Sequence, residues 1–160
     1  MKKGIFTWYG VEADMETRLR GIKEAGFDAV MLDWTDEHTE HGAKEDYARR
    51  ARCLGLEIEN GHLSFENIND MWLDTLAGEA RCESLRRDIL SAGENGVHTL
   101  VIHVSSGRNP PPITEAGLLR YGSLIETAEG AGVRLAFENL RHEAYLYAVL
   151  DRYHTPAAGF

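Results

Sequence analysis

Apolar and polar positions change period along this chain in a regular way. Short stretches of alternating or unbroken apolar residues predict β-strands at Gly4 to Trp8, Asp28 to Asp33, Leu56 to His62, His98 to Val104 and Val133 to Leu140. Between them, helical spacing predicts helices from about Glu12 to Ala25, Ala43 to Leu54, Ala77 to Glu94, Glu115 to Ala131 and Glu143 to Arg152. Leu19 and Ile22 mark the apolar face of the first helix. Gly26, Gly55, Gly96 and Gly132 each stand shortly before a strand, where glycine ends a helix at little conformational cost. Ser105 to Pro112 reads as a loop, because consecutive prolines exclude helix and remove ladder donors. After a turn at Thr155-Pro156, Ala157 to Phe160 reads as the start of a sixth strand. Strand and helix therefore alternate throughout, the α/β signature of a parallel sheet.

No G-x-G-x-x-G follows the first strand and no G-x-x-x-x-G-K-[ST] occurs, which counts against nucleotide-binding open sheets. An eight-stranded (β/α)8 TIM barrel fits better. Such a barrel takes about 250 residues, so this chain of 160 is expected to form one domain, an incomplete barrel of about five βα units plus the beginning of a sixth strand.

Along Val133-Arg-Leu-Ala-Phe-Glu-Asn-Leu140, alternation puts Val133, Leu135 and Phe137 on the side suited to covering helices. Arg134, Ala136 and Glu138 then face the middle of a barrel. Small Ala136 leaves room there, and Glu138 stands at the carboxyl rim, the edge on which such folds carry their chemistry. Asp33, His62 and His103 end earlier strands, and parallel strand ends converge on one rim. Two imidazoles and a carboxylate form a ligand set for a divalent metal or an acid/base set. A carboxylate on the interior side of so apolar a strand needs a cation or several donors to be tolerated. Taken singly, Asp33 also reads as a loop or capping residue, and a strand-end histidine as a hydrogen-bonded structural group. Trp8, Trp34, Phe65 and Trp72 fall at or just after strand ends, where they either wall a polyol pocket or pack under loops. The loop carrying Phe65, Ile68 and Trp72 is long enough to be functional or a lid. His38, His41, His98, His142 and His154 share no spacing, and Glu57 and Glu59 are expected to pair with helix residues.

A formal charge of -9 with no basic cluster argues against nucleic acid as a partner. No segment has the apolar length needed to cross a bilayer, so no membrane association is expected. Cys53 and Cys82 form neither a C-x-x-C pair nor a disulfide framework, and are read as small apolar residues in a reducing compartment. With no export signal in Met1 to Trp8, the expected location is cytoplasmic.

The run G-L-E-I-E-N-G-H, then T-L-V-I-H, then G-V-R-L-A-F-E-N-L resembles the xylose-isomerase-like barrel superfamily, and within it the bacterial sugar phosphate isomerase/epimerase group. Trp72 after the third strand and Gly117-Leu118 add to the resemblance, which covers essentially the whole chain. It implies proton abstraction next to the carbonyl of a small sugar or sugar phosphate, with a divalent metal (manganese, magnesium, cobalt or zinc) holding the substrate oxygens. By that resemblance Glu138 is both the first metal ligand and one of two glutamates that exchange protons with the substrate. His62 and His103 correspond to site-lining histidines, metal ligands in the related apurinic endonucleases and more often substrate contacts in the sugar enzymes. Asp33, Trp34 and Trp72 complete the substrate-binding candidates. The family's remaining ligands, beginning with a D-x-G-H element, come after the point at which Ala-Gly-Phe160 closes this sequence. A truncated, inactive form is therefore expected, self-associating through exposed barrel edges, or pairing two half barrels into a homo-oligomeric ring. The competing expectations are a non-enzymatic half-barrel module that binds a sugar or a partner protein, and a metal-dependent endonuclease, which the charge disfavours.

Overall fold

The computed structural model describes residues 1–10, 12–36, 42–138 and 141–160. Helices begin where a side chain can satisfy the first free amides. Asp14 accepts from the Thr17 amide at the start of α1 (Met15–Glu24), Thr75 from Gly78 at α3 (Leu76–Glu94), and Thr114 from Gly117 at α4 (Glu115–Ala131). Two further helices, α2 (Lys44–Cys53) and α5 (Glu143–Leu150), complete the helical layer. The glycines ahead of the strands, Gly26, Gly55, Gly96 and Gly132, all have positive φ between 67° and 80°, the left-handed turn that reverses the chain from helix into strand.

The strands are β1 (Gly4–Phe6), β2 (Ala29–Trp34), β3 (Glu57–Leu63), β4 (Thr99–Ile102), β5 (Arg134–Phe137) and β6 (Ala158–Gly159). They form one sheet in the order β1-β2-β3-β4-β5-β6, and every pairing is parallel. This is the (β/α) arrangement expected from the sequence, an incomplete TIM barrel in which β1 and β6 are the edges among the described residues.

The core lies between the sheet and its helices. Val30, Leu32 and Trp34 of β2, Leu100 and Ile102 of β4, and Leu135 and Phe137 of β5 are all within 1 % of complete burial, against Leu19, Ile22, Ala48, Ala51, Leu85, Ile89, Tyr121 and Leu124. The other sheet face carries Met31, Asp33, Asn60, His62, Val101 and Ala136, all half-buried. β3 changes faces partway along. Val30 pairs with Ile58 but Met31 with Asn60, so Glu59 is an extra residue, a β-bulge. Before it, Leu56 and Ile58 pack toward the helices. After it, Gly61 and Leu63 do, and Asn60 and His62 turn to the barrel interior.

Several expectations need correction. The segment after β3 is not a lid: it contains a short 3-10 helix, Ile68–Trp72, in which Ile68, Met71 and Trp72 are completely buried. Arg120 holds it by donating to the carbonyls of Met71 and Leu73. Glu57 pairs with Lys2, ahead of β1, at 2.6 Å rather than with a helix, and the Glu59 carboxylate lies over Gly4. Cys82 packs against the core as expected, and burial pushes its thiol pKa up. Cys53, at the end of α2, is instead exposed. No helix among the described residues is long and apolar enough to cross a membrane.

Candidate functional site

The carboxyl ends of β3, β4 and β5 bring His62, His103 and Glu138 together. Parallel register sets this up: His62 lies beside Val101, and Val101 beside Ala136, so His103 and Glu138 stand one pleat further along the same inward face. The Glu138 amide continues the ladder by donating to the Ile102 carbonyl at 3.0 Å. Glu138 Oε2 lies 2.8 Å from His103 Nε2 and 3.3 Å from His62 Nε2. One ligand atom from each of these residues falls within 4.8 Å of the others.

Hydrogen bonding fixes what these atoms present. The His62 Nδ1 is 2.8 Å from the carbonyl of Leu63, which can only accept, so Nδ1 carries the proton. The other ring nitrogen, Nε2, lies within hydrogen-bond distance of Glu138 Oε2 at 3.3 Å. Neither nitrogen of His103 has a hydrogen-bond partner, although both are buried. Its Nε2 is close to Glu138 Oε2 but is not aligned for a bond. Burial lowers the pKa of His103, with Glu138 opposing that shift and His62 adding to it. Two imidazoles and a carboxylate converging within 4.8 Å are a set that could hold a divalent cation, and such a set suits manganese, cobalt or zinc better than magnesium.

Aromatic packing holds the imidazoles in place. Phe65, half exposed, stacks on His103 with 4.7 Å between centroids and 10° between planes, and the His62 ring meets His103 edge-on at 5.0 Å. Below, Tyr121 donates to the His103 carbonyl at 3.2 Å. The Asn69 side chain clamps Ser106 from both sides, donating to its carbonyl and accepting from its amide, each at 2.9 Å.

The other candidates divide. Asp33 shares a register position with His62 on the inward face, beside the cluster. Trp34 and Trp72 do not reach the rim: both are completely buried, and their indole N–H groups donate to the carbonyls of Asp88 and Val104 at 2.9 and 2.6 Å. Trp34 shares the parity of Val30 and Leu32, which points it into the helical layer. Trp72 lies against Gly117, where a Cβ would come within 2.2 Å of its ring. Trp8 covers the guanidinium of Arg18 at 4.3 Å. His98 lies beside the Gly132 carbonyl, at the opposite end of β4 from the site, and His38 and His41 lie outside the described residues. Arg141, Ser105 and Ser106, which line the mouth beside His103, were not signalled by spacing. Only their position after two strand ends could have raised them.

By sequence, no family model and no curated protein matches the chain. Solved structures do. An L-ribulose 3-epimerase superposes with a TM-score of 0.74 at 22 % identity, covering 99 % of this chain and 59 % of its own. A D-allulose 3-epimerase from Methylomonas sp., in complex with D-allulose, gives 0.74 at 17 % identity, over 99 % and 60 %. A xylose isomerase-like TIM barrel fused to a 4-hydroxyphenylpyruvate dioxygenase gives 0.75 at 18 % identity, over 99 % of this chain and 26 % of the fusion. The chain thus spans about six-tenths of the length of the epimerases it matches. Over that span it shares the TIM-barrel fold of these structures.

Proposed function

We propose that this chain carries the β3–β5 part of a metal-assisted sugar isomerase or epimerase site. The observation that carries the reading is the convergence of His62 Nε2 and His103 Nε2 on Glu138 Oε2, at 3.3 and 2.8 Å. The folds that it matches include enzymes named for sugar epimerisation, which supports the substrate class.

A divalent ion held by these atoms would polarise the carbonyl and neighbouring hydroxyl of a bound sugar. The chain's own residues do the rest. In this reading Glu138, whose Oε2 faces the imidazoles, is also the base that takes a proton from the carbon next to that carbonyl. The Leu63 carbonyl, 2.8 Å from Nδ1, orients the His62 ring, and Phe65 fixes the ring plane of His103 by stacking on it. In this reading Asp33, in register with His62, contributes an acceptor for a sugar hydroxyl. Return of a proton from the opposite side needs a second base, and the cluster among the described residues holds a single carboxylate. Pairing of two copies along the edges β1 and β6 is the arrangement in which this chain would enclose the site.

The test is thermal unfolding with and without manganese or zinc. A metal at a hundredfold excess over its dissociation constant stabilises by about 2.7 kcal/mol, or roughly 5–10 °C for a chain of this size. That shift is expected in the wild type and absent in Glu138→Ala. A wild type indifferent to millimolar metal would remove the reading.

A further inference from the structure

Where β3 ends, three consecutive residues make three different contacts. The Leu63 carbonyl lies 2.8 Å from His62 Nδ1. The Ser64 carbonyl accepts from Arg81 Nη2, in α3, at 2.5 Å. Phe65 stacks on His103 and meets the His62 ring edge-on, with centroids 4.7 and 6.2 Å apart. Both imidazoles of the cluster therefore depend on how this short turn leaves the sheet.

Burial makes the middle contact the costly one to lose. Arg81 is 7 % exposed and Ser64 8 %, so guanidinium and carbonyl meet out of water, where either would be strongly disfavoured without a partner. Leu85 and Ile89, one and two turns further along the same face of α3, are completely buried hydrocarbon, and a permanent cation in line with them is an expensive choice unless its bond is needed. A peptide unit is planar, so a Ser64 carbonyl held by α3 fixes the plane from which Phe65 departs. The far side of the turn is closed as well, by the Glu66 amide donating to the Ser64 hydroxyl and the Ile68 amide to the Phe65 carbonyl, each at 3.2 Å. Under the other half of the ring stack, Tyr121 of α4, within reach of the Arg81 charge, donates to the His103 carbonyl at 3.2 Å. Two buried helix residues thus hold the backbone beneath the two stacked rings.

We propose that Arg81 is a positioning residue of the candidate site: by holding the Ser64 carbonyl in the helical layer, it keeps Phe65 stacked on His103 and the His103 ring at its spacing from His62 and Glu138. The proposal rests on the isomerase/epimerase reading for the use made of that spacing, while the ring stack itself is independent of it.

The experiment follows the His103 ring protons by NMR, since a phenyl face at stacking distance moves them upfield, together with zinc binding read from the melting temperature. Arg81→Met keeps the buried stem and removes the donors. It is expected to move the His103 resonances to where they stand in Phe65→Leu, which deletes the stack directly, and to weaken zinc binding by about tenfold. Arg81→Lys, which keeps a cation able to reach a carbonyl, should restore most of the upfield shift. Leu19→Ala empties a completely buried position in α1; it lowers stability without touching the turn and should leave the His103 resonances where the wild type has them. His103 resonances unchanged in Arg81→Met, resonances moved as far in Leu19→Ala, or wild-type zinc affinity in a variant that has lost the stack would each overturn the proposal. If Arg81→Met does not fold, the arginine side chains of the wild type decide: Arg81 Nη protons that are resolved and slow to exchange support the held carbonyl, and averaged, fast-exchanging ones overturn it. A stack that follows Arg81 in a wild type indifferent to zinc would leave the positioning of the ring standing and remove the metal reading alone.

Discussion

Gly117→Ala sets two magnitudes against each other at one position. Gly117 lies in the first turn of α4, and within a helix alanine is favoured over glycine by up to about 1 kcal/mol, so local propensity predicts a more stable protein. Packing predicts the opposite. A Cβ on Gly117 would stand 2.2 Å from Trp72 Cε3 and 2.8 Å from Cζ3, where carbon atoms need about 3.5–4.0 Å. Trp72 has nowhere to retreat, since it is completely buried, with Tyr121 and Tyr145 at 5.2 and 5.1 Å and its indole bonded to the Val104 carbonyl. Overpacking costs about 1–3 kcal/mol, and breaking that hydrogen bond about as much again, so the net loss is about 3 kcal/mol after the propensity gain. At roughly 2–4 °C per kcal/mol, the melting temperature should fall by about 10 °C. Gly130→Ala, in the same helix but facing open space, isolates the propensity and should raise stability by up to about 1 kcal/mol. Denaturant unfolding of the two variants beside wild type decides the matter. If Gly117→Ala is as stable as Gly130→Ala, Trp72 is not wedged against α4 and the placement of the 3-10 helix is wrong.

Further outcomes follow from the charged groups. Asp88 is buried against α2, where burial pushes its carboxyl up to about 6, against the pull of Lys44 at 3.2 Å. Its folded pKa lies above the unfolded value of 3.8, so the folded state binds the extra proton and stability from this group rises as pH falls from about 6 to about 4. Asp88→Asn should flatten that part of the stability profile measured by urea unfolding, and an unchanged slope would show that Asp88 is not desolvated as described. Lys2 and Glu57 form an exposed pair, so Lys2→Ala should change stability by less than about 1 kcal/mol. A larger loss by urea unfolding would mean that the amino terminus carries more of the sheet than its contacts indicate.

The βα order and the gathering of His62, His103 and Glu138 were legible because both depend on periodicity and on parallel strands ending at one rim. Glu138 was placed correctly from the alternation in β5 alone. The same alternation, applied to β2, would have sent Trp34 into the helical layer with Val30 and Leu32, yet an indole at a strand end was read as a rim residue. Trp72 was harder. Its burial depends on close approach to Gly117, forty-five positions later in the chain, and no local pattern reports that contact. Phe65 was named as a wall, but its stacking on His103 is a tertiary fact. Arg141 carried no signal beyond its position after β5.

The bulge at Glu59 has a consequence for how β3 tolerates change. Up to Ile58, even-numbered residues must satisfy the helical layer, and from Gly61 onward odd-numbered ones must. A saturation scan along this strand would show its pattern of permitted substitutions slip phase by one position at Glu59. Excising that single residue would rejoin the two halves in one phase without turning either over: Ile58, Gly61 and Leu63 would all face the helices, and Asn60 and His62 would stay at the barrel interior.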